Sequence, residues 1–240
     1  MHFESKVGHI GGNLSALDVM LHLHASVLGP DDLFVLSKGH SAGALYVTLW
    51  ATGRIPDEDL RSFHKDGTAL AGHPVAGWHK GIAFATGSLG HGLGLAAGAA
   101  LGKRLRHEPG TVYCLLSDGE CQEGSIWEAL IFAHHQKLAN LVVLVDMNGL
   151  QGFGTTAEVA SMAPLADRFR GFGLQVEEID GHAPEALDAV LAQRRNEPLA
   201  VLLRTVKGKG VSFMEGRMEW HYLALNEEQY ARALLELGEE

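Results

Sequence analysis

Leu115-Leu116-Ser117-Asp118-Gly119-Glu120, followed after a helix-like run by Val145-Asp146-Met147-Asn148-Gly149-Leu150, decides how this chain folds. Each half ends an apolar run with a polar group. The first presents a carboxylate at Asp118, the second a carboxamide at Asn148, 30 positions on (148 − 118). A strand–helix–strand unit has that length, and it lays two strand ends side by side. In open α/β sheets, ligands gather at those carboxyl ends. The Asp118 carboxylate, the Asn148 amide oxygen and the Leu150 carbonyl are hard oxygen donors. Two diphosphate oxygens and a water would complete an octahedron suited to Mg²⁺. Gly119 lets backbone approach a phosphate closely. An Asp-Gly after a strand is also an ordinary turn; the Asn at this spacing is what sets the metal site beside that simpler alternative.

Working outward, apolar strand-like runs occur at Leu33–Leu36, Val112–Leu116, Leu141–Asp146, Gln175–Ile179 and Leu199–Val206. Several are continuously apolar, as strands buried on both faces are. Helical patterns lie between and around them at Leu14–Val27, Ser41–Ala51, Leu89–Arg106, Ser125–Leu138, Pro184–Arg195 and Asn226–Leu237. Alternation of this kind predicts an α/β fold, a doubly wound, mainly parallel sheet flanked by helices. No repeat or linker interrupts residues 1–240, so one domain is expected. Within Leu89–Gly102, glycines at 90, 92, 94, 98 and 102 run against helix propensity. They predict close backbone approach, either to the sheet or to a cofactor or partner subunit.

The 240 residues carry a formal charge of −10, which excludes a general nucleic-acid binder because that role needs a basic face. No apolar run reaches the roughly 18–20 residues that span a membrane, and no signal-peptide pattern begins the sequence. Cys114 and Cys121 match no zinc spacing and make no disulfide framework. A cytoplasmic, reducing setting follows as the expectation. Thirty glycines and 14 histidines meet in repeated Gly-His pairs, including Gly8-His9, Gly39-His40, Gly72-His73 and Gly90-His91. Each pair alone reads as a turn with a surface histidine; the set does not.

Asp118-Gly119-Glu120, Glu123-Gly124, Trp127-Glu128-Ala129 and Asp146-Met147-Asn148-Gly149-Leu150-Gln151 resemble the thiamine-diphosphate motif of transketolases. Gly8-His9-Ile10-Gly11-Gly12, Ser37-Lys38-Gly39-His40, Gly72-His73-Pro74, Ala85–Gly92, and Val206–Glu215 with Trp220-His221 resemble further motifs of that family, in order along nearly the whole chain. The resemblance implies thiamine diphosphate with Mg²⁺ or Ca²⁺. Asp118, Asn148 and the Leu150 carbonyl would hold the metal, and Gly87, Leu89, Gly119 and Glu120 would join them around the cofactor. His40 and His221 would approach the diphosphate, and His9 and His73 the donor sugar. Imidazoles suit such work because they donate, accept and relay protons near neutrality. Lys207 and Lys209 are expected on a solvated loop. His24, His182 and the other histidines outside the motifs show no ligand spacing.

The resembling motifs are those of the family's diphosphate-binding part, and a pyrimidine-binding domain is expected on another chain. The resemblance therefore implies the N-terminal subunit of a split transketolase, which works only with a C-terminal, pyrimidine-binding partner in a heterotetramer. It would transfer a two-carbon ketol unit between sugar or sugar-phosphate substrates. Alternatives at this point are a deoxyxylulose-phosphate synthase-like or 2-oxo acid dehydrogenase-like subunit, or a non-catalytic scaffold. Departures from the family pattern include Ser117, which stands for a common Gly. Gly152-Phe153-Gly154 occupies the place of a frequent Asp-Gly turn. Trp220-His221-Tyr222 differs from the Trp-His-Gly of full-length enzymes, though it fits split subunits.

Overall fold

Five parallel strands organise the chain, in a computed structural model that describes residues 1–193 and 195–238. They are β1 (Leu33–Leu36), β2 (Val112–Ser117), β3 (Leu141–Met147), β6 (Gln175–Asp180) and β7 (Leu199–Arg204). Across the sheet they lie in the order β1-β2-β3-β7-β6. A separate antiparallel hairpin, β4 (Leu150–Gln151) with β5 (Gly154–Thr155), follows β3. The expected strands are all present, with ends shifted by one or two residues. The expected α/β architecture is thus the observed one.

Helices cover both faces because side chains alternate along each central strand. Tyr113, Leu115, Val142 and Leu144 point into one core with α2 (Ile10–His22), α3 (Ala42–Ala51) and α9 (Ala186–Leu191). Val112, Cys114, Val143 and Val145 point into the other with α5 (Gly92–Leu105), α6 (Gly124–His135) and α8 (Leu165–Gly171). Burying each of the Val and Leu side chains among these is worth about 1.5–3 kcal/mol. Short helices α1 (His2–Ser5), α4 (Asp57–Arg61) and α7 (Thr156–Ala160) fill connections. A third, smaller cluster joins α10 (Glu227–Glu236) and the segment from Val211 to Leu225 to Ile10 and Leu14. Both thiols are buried, and burial pushes them well above the usual range. Among the described residues no helix is long and apolar enough to cross a membrane.

Two helix expectations change in detail. The α2 pattern starts earlier than Leu14 and ends in a five-residue π-helical turn, Leu23–Val27. The glycine-rich helix answers its question at Gly92, where a Cβ would run into Ser37 at the end of β1. Gly94 and Gly98 instead face open space.

Candidate functional site

β2 and β3 are neighbours in parallel register, with Ser117 opposite Asp146. Asp118 and Asn148 therefore leave adjacent strand ends, as their spacing predicts. The Asp118 carboxylate accepts from Gly119 N at 2.8 Å and from Gly149 N at 2.7 Å. Asn148 Oδ1 accepts from Leu150 N at 3.1 Å, while its Nδ2 donates to Asp146 Oδ2 at 3.2 Å. Asp118 is 7% exposed and has no cationic partner among the described residues. Burial, with a smaller push from the Asp146 carboxylate, raises it to about 6.

The four histidines of the sequence motifs meet on the same side of the sheet. His9 lies 5.4 Å from His40, 6.4 Å from His73 and 5.0 Å from His221 between ring centroids. The His9 amide donates to the His221 carbonyl at 3.0 Å, which straps the first and last motifs together. Asn13 Nδ2 reaches the His9 carbonyl at 2.8 Å, and Asn13 Oδ1 accepts from Ala44 N at 2.6 Å. A Cβ at Gly39 would strike the Thr86–Gly87 backbone, so the His40 loop and the Gly87 loop pack backbone to backbone. Burial is the main cause that lowers these imidazoles. His9 falls to about 4, with help from His73 and Lys207. His221 falls to about 3, with help from Lys207. His40 lies well below the usual range, and His73 below it. At neutral pH the cluster is uncharged.

Between corner and cluster lies a buried network that the motif roles did not include. The Lys38 ammonium is fully buried and pairs with Asp146 Oδ2, while also donating to the Gly12 carbonyl at 3.0 Å. Ser15 Oγ donates to Asp146 at 2.6 Å, and Thr205 Oγ1 donates to its other oxygen. Burial alone would raise Asp146, but Lys38 and these hydroxyls hold it below the usual carboxylate range. Sequence carried a signal for this. An acid and a base, each just past an apolar strand core, must neutralise one another once buried.

Lys207 corrects the solvated-loop expectation. It is 2% exposed, with Nζ 2.9 Å from His221 Nδ1, and burial together with Lys38 lowers it to about 8. The connector before it is fixed by His182, whose Nε2 accepts from Val206 N at 2.8 Å while Nδ1 faces Asp18 at 2.7 Å. Lys209 does sit at the surface, 3.7 Å from Glu215. Glu120 is also turned inward. Its carboxylate accepts from Ser37 Oγ at 2.5 Å, from Gly90 N at 2.9 Å and from Ser117 N at 3.3 Å, so it braces the loops behind the site.

A cavity of about 200 Å³ is lined by His40, Leu89, Gly119, Asn148, Leu150, Lys207 and His221. Its lining joins a lysine and two neutral imidazoles with the Asn148 and Leu150 oxygens. Gly87 and His73 lie beyond it, in contact with each other. Asp118 borders a smaller cavity of about 170 Å³ with Met147 and Thr156. Among the described residues no group of three or more His, Cys, Asp or Glu could cage a metal alone. One uncompensated buried carboxylate with amide and carbonyl oxygens instead fits Mg²⁺, which is characteristically held by one or two carboxylates plus ligand phosphates. The donor set thus fits a metal-bridged diphosphate. A larger cleft of about 540 Å³ at the other end of β1, lined by His24, Asp32 and Arg54, holds none of the motif residues.

Residues 4–240 match the family described as transketolase, thiamine diphosphate binding domain. The chain is 39% identical to a 6-deoxy-6-sulfo-D-fructose transketolase subunit of a Clostridium species, over 98% of this chain and 90% of that protein. It is 40% identical to an apulose-4-phosphate transketolase subunit from Phocaeicola vulgatus, over 99% and 88%. Among solved structures it superposes on a Campylobacter jejuni transketolase with a TM-score of 0.88 at 28% identity, covering 100% of this chain and 42% of that one. The chain therefore spans about two-fifths of that solved enzyme and most of the length of the two subunits.

Proposed function

This chain belongs to the transketolase family, within its thiamine-diphosphate-binding part, and from that premise we propose that it is the diphosphate-binding subunit of a two-subunit transketolase. The activity is transfer of a two-carbon ketol unit from a ketose donor to an aldose acceptor. A pyrimidine-binding partner subunit completes the site, in a heterotetramer working in the cytoplasm, and residues 1–240 act as one domain. The observation that carries this reading is one cavity lined by oxygen donors at Asn148 and Leu150 together with a buried lysine and neutral imidazoles. Subunit names among the relatives support the split arrangement.

In this reading Asp118, Asn148 and the Leu150 carbonyl hold a divalent cation. Lys207 supplies the one positive charge that lines the cavity, and His40 and His221 donate to the same diphosphate. Lys38 and Asp146 keep these groups in register from behind. Thiamine diphosphate, when bound, supplies the electron sink for breaking and making the bond beside the ketose carbonyl. His9 and His73 lie where sugar hydroxyls would be held. Being neutral, they can accept or return a proton there.

Two measurements test this. Thiamine diphosphate with Mg²⁺ should raise the melting temperature of the complex with a pyrimidine-binding subunit, and the chain alone should bind weakly and turn over nothing. Ketol transfer by the complex is expected. Pyruvate decarboxylation in its place would move the protein to the 2-oxo acid branch, and absence of any thermal shift would leave a scaffold.

A further inference from the structure

We infer that Tyr222 is a positioning residue that roofs the diphosphate pocket and holds the β4–β5 hairpin over it, and that glycine at 152 is there to admit it. This rests on the pocket being the cofactor's diphosphate site, as proposed above.

Tyr222 lines the same cavity as Gln151, Gly152 and Phe153. Its ring stands edge-on to His221 at 4.7 Å and to His9 at 6.1 Å. Its base is fixed: the amide donates to Glu219 O at 3.1 Å, and a Cβ at Gly8 would collide with the Tyr222 backbone. Its far end reaches across the cavity to the hairpin. A Cβ at Gly152 would overlap the Tyr222 hydroxyl and fall 3.0 Å from Cζ.

Gly152 has no conformational need to be glycine, since it is not among the residues with positive φ. The tyrosine ring is the nearest obstacle to a side chain at 152; the next is His221 Nε2 at 3.5 Å. Two of the sequence's departures from the family pattern fall at Gly152 and at Tyr222. In the structure they are two sides of one contact.

The hairpin needs such a contact. Only Leu150 with Thr155 and Gln151 with Gly154 pair, and a two-stranded ribbon this short is marginal alone. Its other tethers include the Gln151–Gln122 bond at 2.8 Å, beside the turn, and Thr156 N to Gly149 O at 2.9 Å, at the base. Phe153 at the tip is 83% exposed. Tyr222 meets the hairpin at the turn residue Gly152, and removing it shifts the hairpin towards an open population from which a bound diphosphate escapes.

The test uses the complex with its pyrimidine-binding subunit, thiamine diphosphate and Mg²⁺. The readouts are cofactor Kd, its dissociation rate, and amide exchange in residues 150–155. Tyr222→Ala should weaken binding about tenfold, mostly through faster dissociation, and speed exchange in the hairpin. Tyr222→Phe, which removes the hydroxyl at Gly152 and keeps the ring beside His221 and His9, should fall between wild type and Tyr222→Ala. Gly152→Ala should weaken binding, and Gly152→Ala with Tyr222→Ala should be no worse than Tyr222→Ala alone. Additive losses in that cycle, unchanged hairpin exchange, or an effect on donor KM with cofactor Kd intact would each overturn the inference. If the wild-type complex binds no cofactor, the pocket assignment falls first and the inference with it.

Discussion

The corner at Asp118 and Asn148 comes from two adjacent strand ends, whereas the cluster of His9, His40, His73 and His221 gathers four loops from across the chain. The corner is held by its own neighbours: Gly119, Gly149 and Leu150 amides satisfy its oxygens. The cluster is held by distant partners, through Asn13, the His9–His221 strap and the buried Lys207. Their electrostatics are opposed as well. Burial raises a carboxyl in the corner and lowers imidazoles in the cluster, so in both places it favours the uncharged form. The difference teaches where charge must come from. In the proposed function the corner would take a cation to balance Asp118, and the cluster would offer hydrogen bonds with Lys207 as its charge.

The largest expected effect breaks the corner alone. Asp118→Ala should abolish metal-dependent cofactor binding in the assembled complex, a loss of about 10³-fold or more by calorimetry. Wild-type affinity in that variant would remove Asp118 from the metal site. Next comes the residue shared by both regions. Lys38→Met leaves Asp146 charged and buried, and should cost roughly 3–5 kcal/mol in denaturant unfolding. A loss below about 1 kcal/mol would show that corner and cluster do not depend on the pair. Lys207→Met should weaken the cofactor about tenfold while leaving the fold intact; an equal loss of stability would place the lysine in the framework.

Acidification separates the two regions by sign. His9, His24 and His221 bind protons less readily when folded than the ordinary 6.5, at about 4, 4 and 3. The unfolded chain thus takes up protons first, and their contribution to stability is lost as pH falls from 6.5 towards 4. Asp118, raised to about 6, works the other way in the same window, because the folded state holds its proton longer. Unfolding free energy without cofactor should therefore fall on acidification, and Asp118→Asn should make that fall steeper. A shallower slope in the variant would contradict the assignment. The smallest change is expected at exposed His73: His73→Ala should lower turnover but leave cofactor Kd within about twofold, since the ring lies outside the cavity proposed for the diphosphate.

The sheet was legible because continuous apolar runs such as Leu141–Val145 have no other stable home, and the corner because strand spacing alone brings Asp118 beside the end of β3. The histidines were legible only through motif order, since no local pattern brings residue 9 to residue 221. Asp146 and Lys38 stood in view as part of quoted motifs, but their partnership is tertiary. Strand pairing had to be known before the two charges could be seen to meet. Lys207 was misplaced for the same reason. A lysine between glycines looks solvated until the Trp220 segment covers it, and a Cβ at Gly11 would touch both Lys207 and Trp220.

The hydrogen bond from the His9 amide to the His221 carbonyl joins residues 212 positions apart (221 − 9). During synthesis β1, β2 and β3 can pair as they emerge and β6 must wait for β7, yet the pocket stays open until residue 221 leaves the ribosome. A chain interrupted earlier would keep much of its sheet and lack the closing wall of its site. A proteolytic cut between β7 and His221 would likewise open that wall well before it unfolded the core.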